Sequence, residues 1–178
     1  MADQVKAQPL RGKTVLVTGA SRGIGAAAAK RLAQAGASVV VNYNQNKEAA
    51  LGVLQEIEKN GARGMVFQAD VTLKDQVDAM VAAAREKLSA VDILINNAYF
   101  PFQVGPLHEL PWEKVKAAVE HELSAFHYCV KACLPGMLEK KAGKIIVVST
   151  RLAQQPLPKL GAYAAAKSAL ESMADTMA

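Results

Sequence analysis

A tyrosine and a lysine four residues apart, Tyr163 and Lys167, are the pair in this sequence best suited to proton transfer. Residues at i and i+4 lie on one face of a helix, a turn apart. A free tyrosine has a pKa near ~10, and bringing it to neutrality takes roughly 4 kcal/mol from nearby positive charge. A lysine together with a cationic cofactor could supply that amount. The pair alone leaves open an ordinary contact on a helix surface.

A glycine-rich turn lies far upstream, between the first predicted strand and an alanine-rich helix. It reads Thr18-Gly19-Ala20-Ser21-Arg22-Gly23-Ile24-Gly25. Glycines here let backbone amides approach a pyrophosphate, which the start of the helix favours electrostatically. The turn therefore predicts a dinucleotide site, although its Gly-x-x-x-Gly-x-Gly spacing differs from the commoner Gly-x-Gly-x-x-Gly. We assign cofactor contacts to Gly19, Ser21, Arg22, Gly23, Ile24 and Gly25.

Short apolar strands alternate with helical segments along the whole chain. The predicted strands are 14–18, 38–43, 64–70, 92–96 and 144–150. The predicted helices lie near 24–36, 46–60, 73–89 and 111–140, with a fifth from about residue 160; Pro135-Gly136 predicts a bend or break in the fourth. Nearly unbroken apolar strands fit a parallel sheet covered on both faces. We expect one α/β domain, residues 1–178, with a doubly wound parallel sheet.

Composition and charge exclude several classes of function. The 178 residues carry a net charge of +5, spread along helical segments without interleaved aromatic residues, which argues against nucleic-acid binding. The N-terminus lacks an apolar signal segment, and no apolar run reaches the ~18 residues that span a bilayer, so we expect a cytoplasmic protein without a membrane partner. Cys129 and Cys133 are expected to be buried and reduced. The three histidines, His108, His121 and His127, do not form a metal motif.

Four motifs in order along the chain resemble the short-chain dehydrogenase/reductase family. They are the turn at 18–25, Asp70-Val71, Asn96-Asn97-Ala98, and Tyr163-x-x-x-Lys167. The stretch 39–44, Val-Val-Val-Asn-Tyr-Asn, makes the 3-oxoacyl-[acyl-carrier-protein] reductase-like members the nearest within it. The resemblance implies a Rossmann-type NAD(P)-dependent oxidoreductase with strand order 3-2-1-4-5, and a homo-oligomer, dimer or tetramer, packed through the 111–140 helix and its successor.

The resemblance also implies roles along the cofactor's path. Asp70 would accept the adenine amino group, with backbone contacts from Val71; capping of the next helix is the alternative. Asn96 and Asn97, followed by Ala98, would brace the strand ends and line the path. Ordinary turn chemistry is the alternative for these asparagines.

The absence of a carboxylate just after the second predicted strand favours NADPH over NAD. NAD enzymes of this layout place a carboxylate there for the ribose 2′-hydroxyl, whereas this chain has Tyr43 and Asn44 and no acid before Glu48. Arg22 in the glycine turn can pair with a 2′-phosphate, unless its side chain is simply solvated.

The chemical step implied is hydride transfer between a nicotinamide and the carbonyl or alcohol of a small-molecule substrate. Tyr163 would protonate the developing alkoxide. Lys167 would lower the pKa of Tyr163 and, by resemblance, hold the nicotinamide ribose. The family's serine falls on Thr150, whose hydroxyl can make the same bond, with Ser149 beside it as the second choice.

Three departures from the family pattern favour a rival, a non-catalytic dinucleotide-binding or subunit-interaction module. Tyr99 stands where the family has glycine, Glu122 falls on the position of a catalytic asparagine, and the family's sixth and seventh strands are missing. Tyr99, Phe100 and Phe102 together suggest either an aromatic substrate mouth or anchoring of the loop onto the core.

Overall fold

The computed structural model describes residues 8–177, in which five strands alternate with five α-helices. The strands are β1 Thr14–Val17, β2 Ser38–Tyr43, β3 Gly64–Gln68, β4 Ile93–Asn96 and β5 Lys144–Val147. The helices are α1 Gly23–Gln34, α2 Lys47–Lys59, α3 Lys74–Lys87, α4 Trp112–Glu139 and α5 Gly161–Asp175. Two short 3₁₀ helices, Leu107–Glu109 and Arg151–Ala153, lie in the loops that precede α4 and α5.

All five strands form one parallel sheet in the order β3-β2-β1-β4-β5, which confirms the predicted doubly wound topology. The central strand β1 is covered on both faces, since Val15, Leu16 and Val17 are fully buried. Leu16 belongs to an apolar cluster that also contains Phe126 of α4, and Val15 to a second cluster that contains Ala29 of α1. Burial on both faces explains why the strands read as continuous apolar runs rather than as alternating ones.

Four of the five strands are shorter than predicted, and the fourth helix is not broken. β3 ends at Gln68 and β5 at Val147, because the chain leaves the sheet to form the loops that follow. Helix α4 continues through Pro135, so of the predicted bend or break the break does not occur. A proline costs the helix one backbone hydrogen bond, and burial of Cys133 and Met137 on either side of it favours continuation.

The topology brings the ends of β1, β2, β3, β4 and β5 to a single edge of the sheet. Ligands of open α/β sheets bind at this carboxyl edge. Within residues 8–177, no helix has the length and apolarity needed to cross a membrane. Nor does this part of the chain hold a group of three histidine, cysteine, aspartate or glutamate residues arranged to bind a metal ion.

Candidate active site

A cleft of about 1220 Å³ runs along the carboxyl edge of the sheet, from the glycine turn to α5. The predicted site residues that line it are Gly19, Ser21, Arg22, Gly23, Ile24, Asn44, Asp70, Val71, Asn97, Ala98, Ser149, Tyr163 and Lys167. Residues separated by more than 140 positions in the sequence thus share one cavity.

Four predicted residues do not line the cleft. Gly25 packs behind the turn, where a Cβ would collide with the Asn97 side chain and with the carbonyl of Gly19. The ring of Tyr43 and the side chain of Asn96 are buried in the sheet, with 4% and 2% of their surfaces exposed. Thr150 lies beside Tyr163, outside the cleft wall. Direct contact with a cofactor is therefore not expected of Gly25, Tyr43 or Asn96.

The first glycine of the turn lets two loops come into close contact. Gly19 has a φ of +62°, and a Cβ on it would lie 2.8 Å from the Cα of Ala98. Its amide donates to Oδ1 of Asn42 at 3.0 Å. Any larger residue would force apart the loops that follow β1 and β4.

Two polar residues that the sequence did not single out hold the strand ends together. Thr18 Oγ1 accepts from the amides of Asn97 at 2.9 Å and Ala98 at 3.0 Å, and Asn97 Nδ2 donates back to the carbonyl of Thr18 at 2.9 Å. On the other side, Asn42 Nδ2 donates to the carbonyl of Ala69 at 3.0 Å. Asn97 therefore braces the edge as predicted. A polar residue at the end of a buried strand is the signal that could have identified Thr18 and Asn42.

The start of α1 offers hydrogen-bond donors toward the cleft. Among the residues that the structure describes, the amides of Gly23 and Ile24 have no acceptor. Gly23 has a φ of +58°, and no atom lies within 4 Å of the position its Cβ would take. Free amides at a helix start, beside open space that a side chain would fill, fit the pyrophosphate of a dinucleotide.

Asp70 lies on the opposite wall and organises the turn after β3. Its Oδ1 accepts from the amide of Thr72 at 2.9 Å and from the Thr72 hydroxyl at 2.7 Å, and Asn44 donates to its Oδ2 at 3.3 Å. Burial acts to raise the pKa of Asp70, but these hydrogen bonds outweigh it and the pKa is lowered. Helix α3 begins at Lys74 with Leu73 as its N-cap, so Asp70 does not cap that helix.

Tyr163 and Lys167 lie at the other end of the cleft, in the first two turns of α5. Lys167 is 94% buried, and its Nζ donates to Oε1 of Glu122 on α4 at 2.5 Å and to the carbonyl of Val148 at 3.1 Å. Glu122 is itself buried, with 4% of its surface exposed. The lysine therefore has an ion-pair partner inside the protein.

The pKa of Tyr163 is raised, not lowered as the sequence predicted. Burial of the phenol is the main cause, a hydrogen bond with the Thr150 side chain opposes it, and the charges of Glu122 and Tyr99 add to the rise. Lys167 is not among these groups, and its ion pair with Glu122 gives the physical reason. Burial also raises the pKa of the Glu122 carboxyl, a rise that the hydrogen bond from Lys167 opposes.

The two candidate hydroxyls after β5 differ in their partners. Thr150 acts on Tyr163 by opposing the rise of that tyrosine's pKa, and its Oγ1 accepts from the amide of Leu152 at 3.3 Å. The hydroxyl of Ser149 is buried and has no partner among the described residues. Of the two hydroxyls, Thr150 is thus the one that acts on the tyrosine, and Ser149 is the one that lines the cleft.

An aromatic loop covers Tyr163. The ring of Phe102 stacks on that of Tyr163, with centroids 4.3 Å apart and planes inclined by 14°. The rings of Tyr99 and Phe102 pack edge to face with centroids 6.3 Å apart, and the ring centroids of Phe100 and His121 are 5.8 Å apart. The aromatic cluster therefore stands at the predicted place. His121, to which the sequence analysis gave no role in the site, is exposed and also lines the cleft.

Comparison with known proteins places this fold and site in a family. The family model described as short chain dehydrogenase matches residues 13–178. A 3-oxoacyl-[acyl-carrier-protein] reductase of Synechocystis sp. is 37% identical over 169 residues, which cover 95% of this chain and 68% of the relative. This chain belongs to the short-chain dehydrogenase family. It spans about two thirds of the length of the curated relatives it matches.

Solved structures agree with the fold. A short chain dehydrogenase from Burkholderia cenocepacia in complex with NADP is 35% identical, with a TM-score of 0.83 over 94% of this chain and 68% of that one. A 7α-hydroxysteroid dehydrogenase complexed with NADH and 7-oxo glycochenodeoxycholic acid is 32% identical, with a TM-score of 0.88 over 94% of this chain and 65% of that one. The fold is thus one that binds NAD(P), with examples of both cofactors.

Proposed function

We propose that this chain carries the cofactor site and the proton donor of an NADPH-dependent carbonyl reductase. The observation that carries the proposal is a single cleft with helix-start amides at one end and Tyr163, with Thr150 beside it, at the other. The shared cleft supports grouping these residues into one site. The family membership supports the same reaction class.

In this proposal the residues of the chain bind, orient and protonate. The amides of Gly23 and Ile24 would hold the pyrophosphate, and Asp70 would receive the adenine. The nicotinamide, when bound, supplies the hydride. Tyr163 would give its proton to the developing alkoxide, while Thr150 orients the phenol and the substrate oxygen. Lys167, fixed by Glu122, would hold the nicotinamide ribose.

Tyr163→Phe tests the proposed acid, because it removes the hydroxyl and keeps the ring that stacks on Phe102. We expect oxidation of NADPH with an apolar ketone to fall by at least about 100-fold, since general acid catalysis contributes on that order. NADPH binding, followed by nucleotide fluorescence, should be unchanged. Retention of full activity by this variant would show that Tyr163 is not the acid.

The preference for NADPH rests on charge around the cleft. Arg22 is exposed in the cleft wall and Lys47 lines the same wall, while the stretch from Asn42 to Gln45 brings no carboxylate. Glu48 also lines the cleft and is the charge that opposes this preference.

Arg22→Ala tests this preference. We expect it to weaken NADPH binding by about tenfold, or ~1.4 kcal/mol, and to leave NADH binding nearly unchanged, because only NADPH carries the 2′-phosphate. Arg31→Ala removes the same charge from a position on α1 that does not line this cleft, and so serves as the control. Equal losses for the two cofactors in the Arg22 variant would contradict the preference.

The substrate class proposed is a 3-oxoacyl compound or another apolar ketone. The aromatic loop beside Tyr163 supports an apolar substrate, as does the likeness to a 3-oxoacyl-[acyl-carrier-protein] reductase. A panel of 3-oxoacyl thioesters, cyclic ketones and sugars, assayed by NADPH oxidation, would distinguish apolar from polar substrates. An oligomer, dimer or tetramer, belongs to the same proposal and is tested by light scattering.

The rival is a module that binds the dinucleotide without catalysis. Stacking of Phe102 on Tyr163 and pairing of Lys167 with Glu122 both favour it, since each occupies a group that catalysis would need. Saturable NADPH binding with no turnover across the whole panel, in the intact protein, would select this rival over the reductase.

A further inference from the structure

The contact between Glu122 and Lys167 joins two helices through residues 45 positions apart. Both side chains are more than nine-tenths buried, so the pair is not a solvated surface ion pair. The carbonyl of Val148 takes a second donor of the ammonium, and Lys167 still lines the cleft. A carboxylate and a carbonyl thus fix the lysine from two sides, with one N–H left over.

Other titratable groups around this pair come from three elements. Tyr163 lies one turn before Lys167 on α5, His121 precedes Glu122 on α4, and Tyr99 comes from the loop after β4. Asp70 stands on the far wall of the cleft. Among the described residues, Glu122 is the carboxylate in ion-pair contact with Lys167.

We propose that Glu122 is a positioning residue that fixes Lys167 in the cleft wall and balances its charge. This inference rests on the proposed role of Tyr163. Balanced by a carboxylate at 2.5 Å, the ammonium exerts little net field on the phenol. Tyr163 then keeps its proton over a wider pH range than it would beside an uncompensated lysine. A protonated phenol suits carbonyl reduction, in which it donates the proton, better than alcohol oxidation, in which it would have to accept one.

Glu122→Gln is the direct test, since it removes the charge and keeps the size and an oxygen acceptor. The readout is the titration of each tyrosine, followed by NMR of chains labelled with ¹³C at the tyrosine Cζ, and Tyr163→Phe assigns the signal. We expect the midpoint of the Tyr163 titration to fall by about one pH unit. Glu120→Gln, the same change two residues earlier on the exposed side of α4, should leave it in place. A Tyr163 titration that is unchanged or moves up in Glu122→Gln overturns the proposal.

A double variant covers the case in which Glu122→Gln does not fold. Replacing both members, Glu122→Met with Lys167→Met, leaves no uncompensated charge inside the protein, a change that is often tolerated. If the charges of Glu122 and Lys167 balance, the midpoint of the Tyr163 titration should lie within a few tenths of a pH unit of the midpoint in the unmodified protein. A rise of a full unit would show that the lysine charge was not balanced, and would overturn the proposal. The titration needs no turnover, so loss of the proposed reductase activity would not be mistaken for this result.

Discussion

Tyr163 shows how strongly its surroundings, rather than its sequence neighbours, determine the chemistry of a side chain. The sequence places a lysine one helical turn away and predicts a lowered pKa. In the folded chain that lysine is paired with Glu122, and burial under Phe102 raises the pKa of the phenol instead. The tyrosine is therefore protonated up to alkaline pH, which suits a proton donor better than a proton acceptor.

Phe102→Ala should lower the pKa of Tyr163, because burial is the largest cause of the rise. Removing the stacked ring hydrates the phenol, and we expect the pKa of Tyr163 to fall toward its ordinary value. The ¹³C titration of tyrosine Cζ measures it. Phe100→Ala is a matched control in the same loop, since Phe100 packs against His121. An unchanged pKa in Phe102→Ala would mean that other groups bury the phenol.

Local pattern predicted well which residues share the cleft, and predicted their partners poorly. The glycine turn, Asp70, Asn97, Tyr163 and Lys167 all face one cleft, as their places after strands or on a helix face implied. The ion pair with Glu122 and the stack with Phe102 were not foreseen. Both depend on how elements far apart in sequence pack, which neither periodicity nor motif spacing encodes.

At the scale of elements, Asp92 ties the start of β4 to its neighbours. Its Oδ2 accepts from the amide of Thr14 at 2.9 Å, and its Oδ1 accepts from Lys140 Nζ, at the end of α4, at 2.9 Å. Asp92 is 5% exposed. Burial acts to raise the pKa of this carboxyl, but the hydrogen bonds and the charges of Lys140 and Lys13 outweigh it and lower the pKa.

Asp92→Asn should cost about 2 kcal/mol of unfolding free energy at pH 7, the usual range for a hydrogen bond to a charged group. Because the folded pKa is lowered, this stabilisation is present above the unfolded pKa of ~4 and is lost as the pH falls through the folded value. The difference between the two proteins in urea unfolding should therefore shrink in acid. Asp75→Asn, at an exposed position, should change stability little at any pH. A difference in unfolding free energy between the unmodified protein and Asp92→Asn that stays constant down to pH 2 would contradict a stabilising role of the ionised Asp92.

The order of the elements was predictable, whereas their ends were not. Alternating apolar strands and helices allow few topologies, so the strand order followed from the pattern and the resemblance. β3 ends at Gln68 and β5 at Val147, before the predicted ends at 70 and 150, although the amides of Ala69 and Val148 still donate to the neighbouring strands. Pro135 indicated a bend or break in α4, yet Cys133 and Met137 on either side of it are buried and the helix continues. Tertiary packing overrides local propensity at such positions.

For the molecule as a whole, the outer edge of β5 is the most consequential surface. In residues 8–177, β5 pairs with β4 on one side and with no strand on the other. Ile146 on this strand is 47% exposed, and an apolar edge with free backbone groups is a template for association. We therefore expect the 178-residue chain, expressed by itself, to associate at concentrations of tens of micromolar or to be poorly soluble.

Ile146→Lys should reduce that association, because a lysine on an edge strand opposes pairing with another chain. Size-exclusion chromatography with light scattering measures the mass of each protein. Leu138→Lys is the informative control: Leu138 is 66% exposed on α4, the helix through which the family resemblance implies oligomers. A lower mass of the particles in solution for the Ile146 variant alone indicates association through the sheet edge. A lower mass for the Leu138 variant alone indicates association through α4. A monodisperse monomer for the unmodified chain would exclude association through either surface.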